Sequence, residues 1–325
     1  MFLLYIYKKI MKSYSLWIDK KRQAIIKNNI INYKKNSKTV LVQTVYTGIS
    51  KGTEKLVSSK LVNKSQYQLM KAPFQKGTFN LPIKYGYINV GKIINGPENL
   101  INKYIFTLFP HQTIYEIPIK NINLLPTNNL RKYVLVANME TAINIFWDSC
   151  SNKNDKILIF GLGSVGLLTA YFFKLQNYKN VFVYDTNINK KKYAKLLGLS
   201  YINIKQAKNF NTIINTTSNY QVLEKSMSLL VNEGKIVEAS WYGSKKGSLS
   251  LGEYFHSKRL KIISSQVSQI PNHMKNKYDY KKRLKLAINS LRDKKLEKLI
   301  TSESNFFNLE SDYFKILNNK NTIMH

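Results

Sequence analysis

The densest cluster of chemistry-bearing positions is Gly161-Leu162-Gly163-Ser164-Val165-Gly166, which follows the apolar run Lys156-Ile157-Leu158-Ile159-Phe160 and precedes a second apolar stretch over 167–175. A strand running into Gly-x-Gly-x-x-Gly and then into a helix is a cradle for a pyrophosphate. The first glycine permits the tight turn, the second lets phosphate approach the backbone, and the third lets the helix lie close on the strand. The opening turn of that helix, with Ser164 and Val165, then offers free N–H groups and a positive dipole end. A second apolar run, Asn180-Val181-Phe182-Val183-Tyr184, ends in Asp185, nineteen residues after Gly166. A carboxylate there accepts hydrogen bonds from the adenosine ribose hydroxyls and repels a 2′-phosphate, which points to NAD. Lys190, Lys191 and Lys192 lie just beyond and soften that preference, so NADP stays open.

Composition removes several other chemistries. The 325 residues are 44% hydrophobic, with 22 Tyr and 15 Phe, so the chain is globular, and its length suggests about two domains. The one cysteine, Cys150, forbids an intrachain disulfide and any site built from several thiolates. Lys and Arg exceed Asp and Glu by 33, which would ordinarily suggest a nucleic acid or membrane partner. The excess is nearly uniform, however, with 22 basic and 6 acidic side chains in 1–150 and 29 and 12 in 151–325. Uniform charge reads as solvated positions, so neither nucleic acid nor membrane is the expected partner. The steepest local excess, 13 basic against 3 acidic over 258–298, includes Lys281, Lys282, Arg283 and Lys285 on an expected helix and reads as a solvated face. There is no phosphate-binding loop ending in Gly-Lys-Ser/Thr, so nucleotide hydrolysis has no support. Tyr278-x-x-x-Lys282 has the spacing of a short-chain dehydrogenase pair, but those proteins place the glycine turn near the N-terminus and the Tyr inside the same sheet domain, and helical charge spacing explains the pair better.

The elements that must position these residues change character along the chain. Residues 12–125 read as short strands and turns, with strands expected at 40–45, 89–94 and 104–109. From 128 to 146 the apolar spacing suits helices. From 156 onward strands (156–160, 180–184, 211–215, 234–239) alternate with helical patterns (164–176, 190–197, 220–231), which argues for a parallel sheet covered by helices. Residues 1–11 read as an extra segment ahead of a more ordinary start at Met11. No stretch reaches the ~18 uninterrupted apolar residues of a membrane span, and a cytoplasmic protein is expected.

A glycine turn near residue 160 behind a β-rich region resembles the layout of the medium-chain dehydrogenase/reductase superfamily. The resemblance implies an α/β architecture: a GroES-like, β-rich substrate domain over 12–125, a Rossmann doubly wound cofactor domain over 126–282, and a return to the first domain over 283–325. Zinc-type members carry a catalytic Cys in a Gly-Ile-Cys-Gly turn and a His in a Gly-His-Glu segment. The matching places here read Gly48-Ile49-Ser50-Lys51-Gly52-Thr53-Glu54 and Lys84-Tyr85-Gly86-Tyr87-Ile88. Ser50 replaces Cys and Tyr87 replaces His, and each change removes a good zinc ligand. A zinc-free member is therefore expected. Gly48-Ile49-Ser50-x-Gly52-Thr53-Glu54, Pro110-His111-Gln112, 137–142, Ser240-Trp241-Tyr242-Gly243 and 255–260 are similar to the subgroup that includes bacteriochlorophyllide a dehydrogenase.

The resemblance implies hydride transfer between a nicotinamide coenzyme and a small alcohol or carbonyl substrate in the cleft between the domains, and a homodimer. Without zinc a proton donor must polarise the substrate oxygen. The candidates are Tyr87 and Glu54 first, then Ser50, His111 and Glu140. Each has an ordinary structural use as well: Tyr87 as packing, Glu54 as a turn brace, His111 as a satisfied histidine at a strand end. Two other readings stand beside this one. The chain could be a dinucleotide-binding protein that has lost catalysis and holds RNA through 258–298, or an NADPH-dependent quinone or enone reductase, against which Asp185 argues.

Overall fold

The computed structural model describes residues 8–325. Their contacts divide into two compact units, one running to residue 137 and taking in 302–319 and 325, the other comprising 138–301 and 320–324.

The first unit opens with a hairpin of β1 (Lys8–Ile18) and β2 (Ala24–Lys34), paired without interruption from Lys8↔Lys34 to Ile18↔Ala24. The Asp19 carboxylate closes its turn by accepting from the Gln23 amide at 2.7 Å. Residues 8–10, set apart in the sequence reading, are thus part of a strand, and residues 1–7 lie outside the described residues. Then follow β3 (Thr39–Thr47), helix α1 (Lys51–Ser58), β4 (Lys76–Gly77), β5 (Ile83–Lys84), β6 (Asn89–Asn95), β7 (Tyr104–Thr107), β8 (Ile114–Pro118) and β9 (Asn123–Leu124). They form two sheets, ordered β2-β1-β5-β4 and β8-β3-β6-β7-β9. Val40 and Val42 of β3 share one face by the two-residue period of a strand, and meet Ile93, Ile105, Phe109, Tyr115 and Ile117 in a buried cluster. β3 and β6 then deliver their ends to the segments around Ser50 and Tyr87.

The second unit is a parallel sheet with helices between its strands: α2 (Val136–Ser149) leads into β10 (Ile157–Phe160), α3 (Ser164–Leu175), β11 (Val181–Tyr184), α4 (Lys191–Leu196), β12 (Ser200–Tyr201), β13 (Phe210–Asn215), α5 (Tyr220–Leu229), β14 (Leu230–Glu238) and β15 (Lys261–Ser264). All pairs are parallel and the order is β12-β11-β10-β13-β14-β15, the doubly wound order of a dinucleotide fold. Continuous apolar runs suit strands covered on both faces, and Leu158, Phe160, Ile213 and Ile236 pack on Leu223 and Met227 of α5.

Helix α6 (Tyr280–Ser290) carries the basic run, and one of its residues departs from the expected solvated face. Lys281, Lys282 and Lys285 are exposed, but Arg283 is only 2% exposed. Its guanidinium bonds Glu140 Oε1 at 3.0 Å, Asn144 Oδ1 at 2.6 Å and the Val267 carbonyl at 2.6 Å. A buried guanidinium needs such partners, and α2 supplies two of them. The chain finally returns to the first unit as α7 (Leu309–Asn318). Among the described residues no helix is long and apolar enough to cross a membrane.

Candidate active site

In the second unit, β10 ends at Phe160 and the chain turns through Gly161 into α3, with Gly163 as the N-cap. A Cβ on Gly166 would stand 1.8 Å from the Gly161 carbonyl oxygen, so only glycine lets the first turn of α3 close on the loop. A Cβ on Gly163 would meet nothing within 4 Å, which leaves the outer face of the turn open to a ligand. The strand order reverses between β10 and β13, the place where doubly wound sheets bind ligands. There the Thr216 hydroxyl donates to the carbonyls of Phe160 and Gly161 at 2.8 and 3.1 Å.

Asp185 follows β11 and faces the same turn. Its Oδ2 accepts from the Leu162 amide at 2.7 Å and from Lys190 Nζ at 3.0 Å, and its Oδ1 from the Asn187 amide at 2.8 Å. The sequence reading placed Gly161, Gly163, Ser164, Val165, Gly166, Asp185 and Lys190 in one site, and the fold brings them together over a single loop and its flanking strand. Ser164 Oγ also accepts from Asn138 Nδ2 at 3.1 Å.

In the first unit four of the five expected chemical residues meet. Ser50 is the N-cap of α1, and Glu54 reaches back so that its Oε1 accepts from the Ser50 amide at 2.8 Å. Glu54 Oε2 lies 3.0 Å from His111 Nε2, and both side chains are 1% exposed. The other ring nitrogen, His111 Nδ1, is 2.6 Å from Thr47 Oγ1. The ring packs on Gly86, whose φ is +117° and where a Cβ would lie 2.7 Å from Nε2. Tyr87 is half-buried next to this glycine. Burial and the Glu54 charge push its phenol up to about 12, although hydrogen bonds to Ser50 and Thr53 work in the other direction. The phenol therefore keeps its proton at neutral pH and can donate it.

Tyr313, from α7, completes the cluster and escaped the sequence reading. Its hydroxyl donates to Glu54 Oε2 at 2.9 Å, and burial followed by the Glu54 charge holds its proton firmly. Thr47 escaped as well. No local signal marks either residue, because their partners lie far away in sequence. Glu140, the fifth candidate, belongs to the second unit, where its carboxyl is committed to Arg283. Among the described residues no group of three or more His, Cys, Asp or Glu is placed to hold a metal ion.

By sequence no family model and no curated protein matches the chain. Solved structures match it over nearly its whole length. A short chain alcohol dehydrogenase from Escherichia coli, complexed with the cofactor NADH, superposes with TM-score 0.75 at 17% identity, covering 96% of this chain and 97% of that one. An alcohol dehydrogenase from Thermotoga maritima gives 0.76 at 14% identity, covering 97% and 98%. The 2R,3R-butanediol dehydrogenase from Bacillus subtilis gives 0.71 at 14%, covering 96% and 98%. At these identities the likeness shows the fold: a β-rich unit plus a doubly wound parallel-sheet unit, as the sequence reading expected.

Proposed function

We propose that this chain is an NAD(P)-dependent oxidoreductase of the medium-chain type that interconverts an alcohol and a carbonyl without catalytic zinc. The observation that carries the reading is the approach of Gly166 to the Gly161 carbonyl, so close that an added Cβ would stand 1.8 Å from the oxygen, at the reversal point of the sheet. That is the backbone cradle a dinucleotide pyrophosphate needs, and Asp185 stands beside it for the adenosine ribose. The dehydrogenases of like fold lend support, one of them holding NADH. NAD is the preferred coenzyme in this reading, and NADP is accepted because Lys190 offsets the Asp185 charge.

The zinc-free part rests on the donor set. Ser50 and Tyr87 offer hydroxyls where a thiolate and an imidazole would be needed, and Glu54 and His111 spend their polar atoms on one another, on Thr47, on Tyr313 and on the Ser50 amide. These residues do not fit a tetrahedral zinc. A nicotinamide coenzyme held at the Gly161–Gly166 turn would supply or accept the hydride. Tyr87 holds the proton at Oη and gives it to the substrate oxygen as that oxygen gains negative charge; in the reverse direction it takes the proton back. An alkoxide is far more basic than a phenol near 12, so the transfer is downhill. Ser50 and Thr53 orient the hydroxyl, while Glu54, His111 and Tyr313 fix α1 beneath them. We assign Glu140 to holding α2 against α6 through Arg283.

Tyr87→Phe tests the assignment. The expected result is a fall in kcat of about a hundredfold or more with coenzyme affinity unchanged; unaltered turnover removes Tyr87 from the chemistry. Elemental analysis finding one zinc per chain overturns the metal-free reading. We further read the chain as a cytoplasmic homodimer joined along the exposed edge strand β15, which sedimentation at the monomer mass contradicts.

A further inference from the structure

The second unit carries a second carboxylate on the ligand side of its sheet. Register places Phe160, Asn215, Glu238 and Ser264 side by side at the carboxyl ends of β10, β13, β14 and β15. Glu238 thus stands two strand spacings, roughly 10 Å, from the glycine turn, on the side away from Asp185. It is held in place with care. Its Oε1 accepts from the Ser240 amide at 2.9 Å, and its Oε2 from Asn215 Nδ2 at 2.7 Å and the Tyr242 hydroxyl at 3.0 Å. Asn215, fully buried, is itself oriented by the Thr217 amide and hydroxyl at 3.1 and 2.7 Å. Burial raises the Glu238 carboxyl and these donors lower it, with burial the larger.

What the group lacks is a cation. Asp185 has Lys190, and Glu140 has Arg283, yet no Lys, Arg or His pairs with Glu238 among the described residues of a chain whose net charge is +33. A half-buried carboxylate fixed by neutral donors and left without a counter-charge is costly unless a ligand brings one. A dinucleotide laid across the crevice, with its adenosine at Asp185, extends its other half toward β13 and β14. The oxidised nicotinamide ring is cationic, and the reduced ring is neutral.

Resting on the dinucleotide reading above, we propose that Glu238 is the counter-charge of the oxidised nicotinamide, so that this chain binds NAD+ more tightly than NADH. A tenfold preference for the oxidised form lowers the potential of the bound couple by about 30 mV and makes bound NADH the stronger hydride donor. The assignment therefore favours carbonyl reduction as the direction in which the site works.

Titration calorimetry at pH 8 with NAD+, NADH and ADP-ribose, on the wild type, Glu238→Gln and Tyr242→Phe, tests it. The wild type is expected to bind NAD+ the more tightly. Glu238→Gln should weaken NAD+ about tenfold while NADH and ADP-ribose stay within twofold, and Tyr242→Phe, which keeps the charge, should keep the preference. A wild type that binds NADH as tightly as NAD+, or a Glu238→Gln variant that shifts both coenzymes equally or neither, overturns the proposal while leaving the dinucleotide site standing. A wild type that binds none of the three ligands takes the dinucleotide reading down with it.

Discussion

The glycine turn of the second unit and the polar cluster of the first are built on opposite plans. The turn is backbone: amides of one loop, three glycines, and a carboxylate that follows the neighbouring strand, all within 161–190. The cluster is side chain: Thr47, Glu54, His111 and Tyr313 come from four separate segments, and each is positioned by the others. A backbone site is specified by the few residues whose shape it tolerates. A side-chain site is specified only when the whole unit has folded.

Substitutions can break that contrast or sharpen it. Gly166→Ala forces a Cβ into the Gly161 carbonyl, which should cost about 3 kcal/mol and weaken coenzyme binding about a hundredfold; calorimetry showing native affinity would mean the loop does not hold the pyrophosphate. Glu54→Ala leaves the Ser50 amide, His111 and the Tyr313 hydroxyl without their acceptor, a loss of about 3 kcal/mol in chemical denaturation. Coenzyme affinity should stay within about twofold, and a parallel loss would tie the two sites together energetically.

A smaller effect separates the units by pH. Lys84, on β5, is 5% exposed, and its ammonium donates to Gln112 Oε1 at 2.6 Å. Burial, reinforced by the charge of Lys76, lowers it from 10.5 to about 8. The unfolded chain therefore binds more protons than the native one across that interval. Stability attributable to Lys84 rises from pH 8 to 10.5, is complete above 10.5, and is lost as pH falls through 8. Relative to Lys84→Met, the wild type should gain on the order of 2 kcal/mol over this range, and identical pH slopes would refute the burial argument. The smallest expected effect is at Lys190. Removing it with Lys190→Ala leaves Asp185 uncompensated and should raise the NAD over NADP preference about fivefold, read from the ratio of dissociation constants; an unchanged ratio assigns the pair to loop support alone.

The same contrast decides what the sequence disclosed. The run from Lys156 through Asp185 announced strand, turn, helix and strand because each step is local, and the observed elements end within a residue or so of the expected ones. Ser50, Glu54, Tyr87 and His111 were found through their resemblance to a known pattern; their mutual hydrogen bonds were not foreseeable from spacing. Tyr313 sits on an ordinary amphipathic helix, and nothing nearby marks it as the partner of Glu54. β2 was hidden differently. Its sequence, Ala-Ile-Ile-Lys-Asn-Asn-Ile-Ile-Asn-Tyr-Lys, carries three Asn, a residue depleted in strands, and only its pairing with β1 makes it one. Arg283 was misplaced because a charge run shows no sign of an acid 143 residues earlier.

The hydrogen bond from Tyr313 to Glu54 spans 259 residues, and between its ends the chain writes out an entire second fold. A nascent chain leaves the ribosome at ~5–20 residues per second, so Glu54 and His111 wait tens of seconds for the hydroxyl that completes their surroundings. The parallel sheet can close during that interval, since its strands and helices all lie between the two ends. The β-rich half must wait for α7, around a carboxylate that stays short of one donor until Tyr313 emerges.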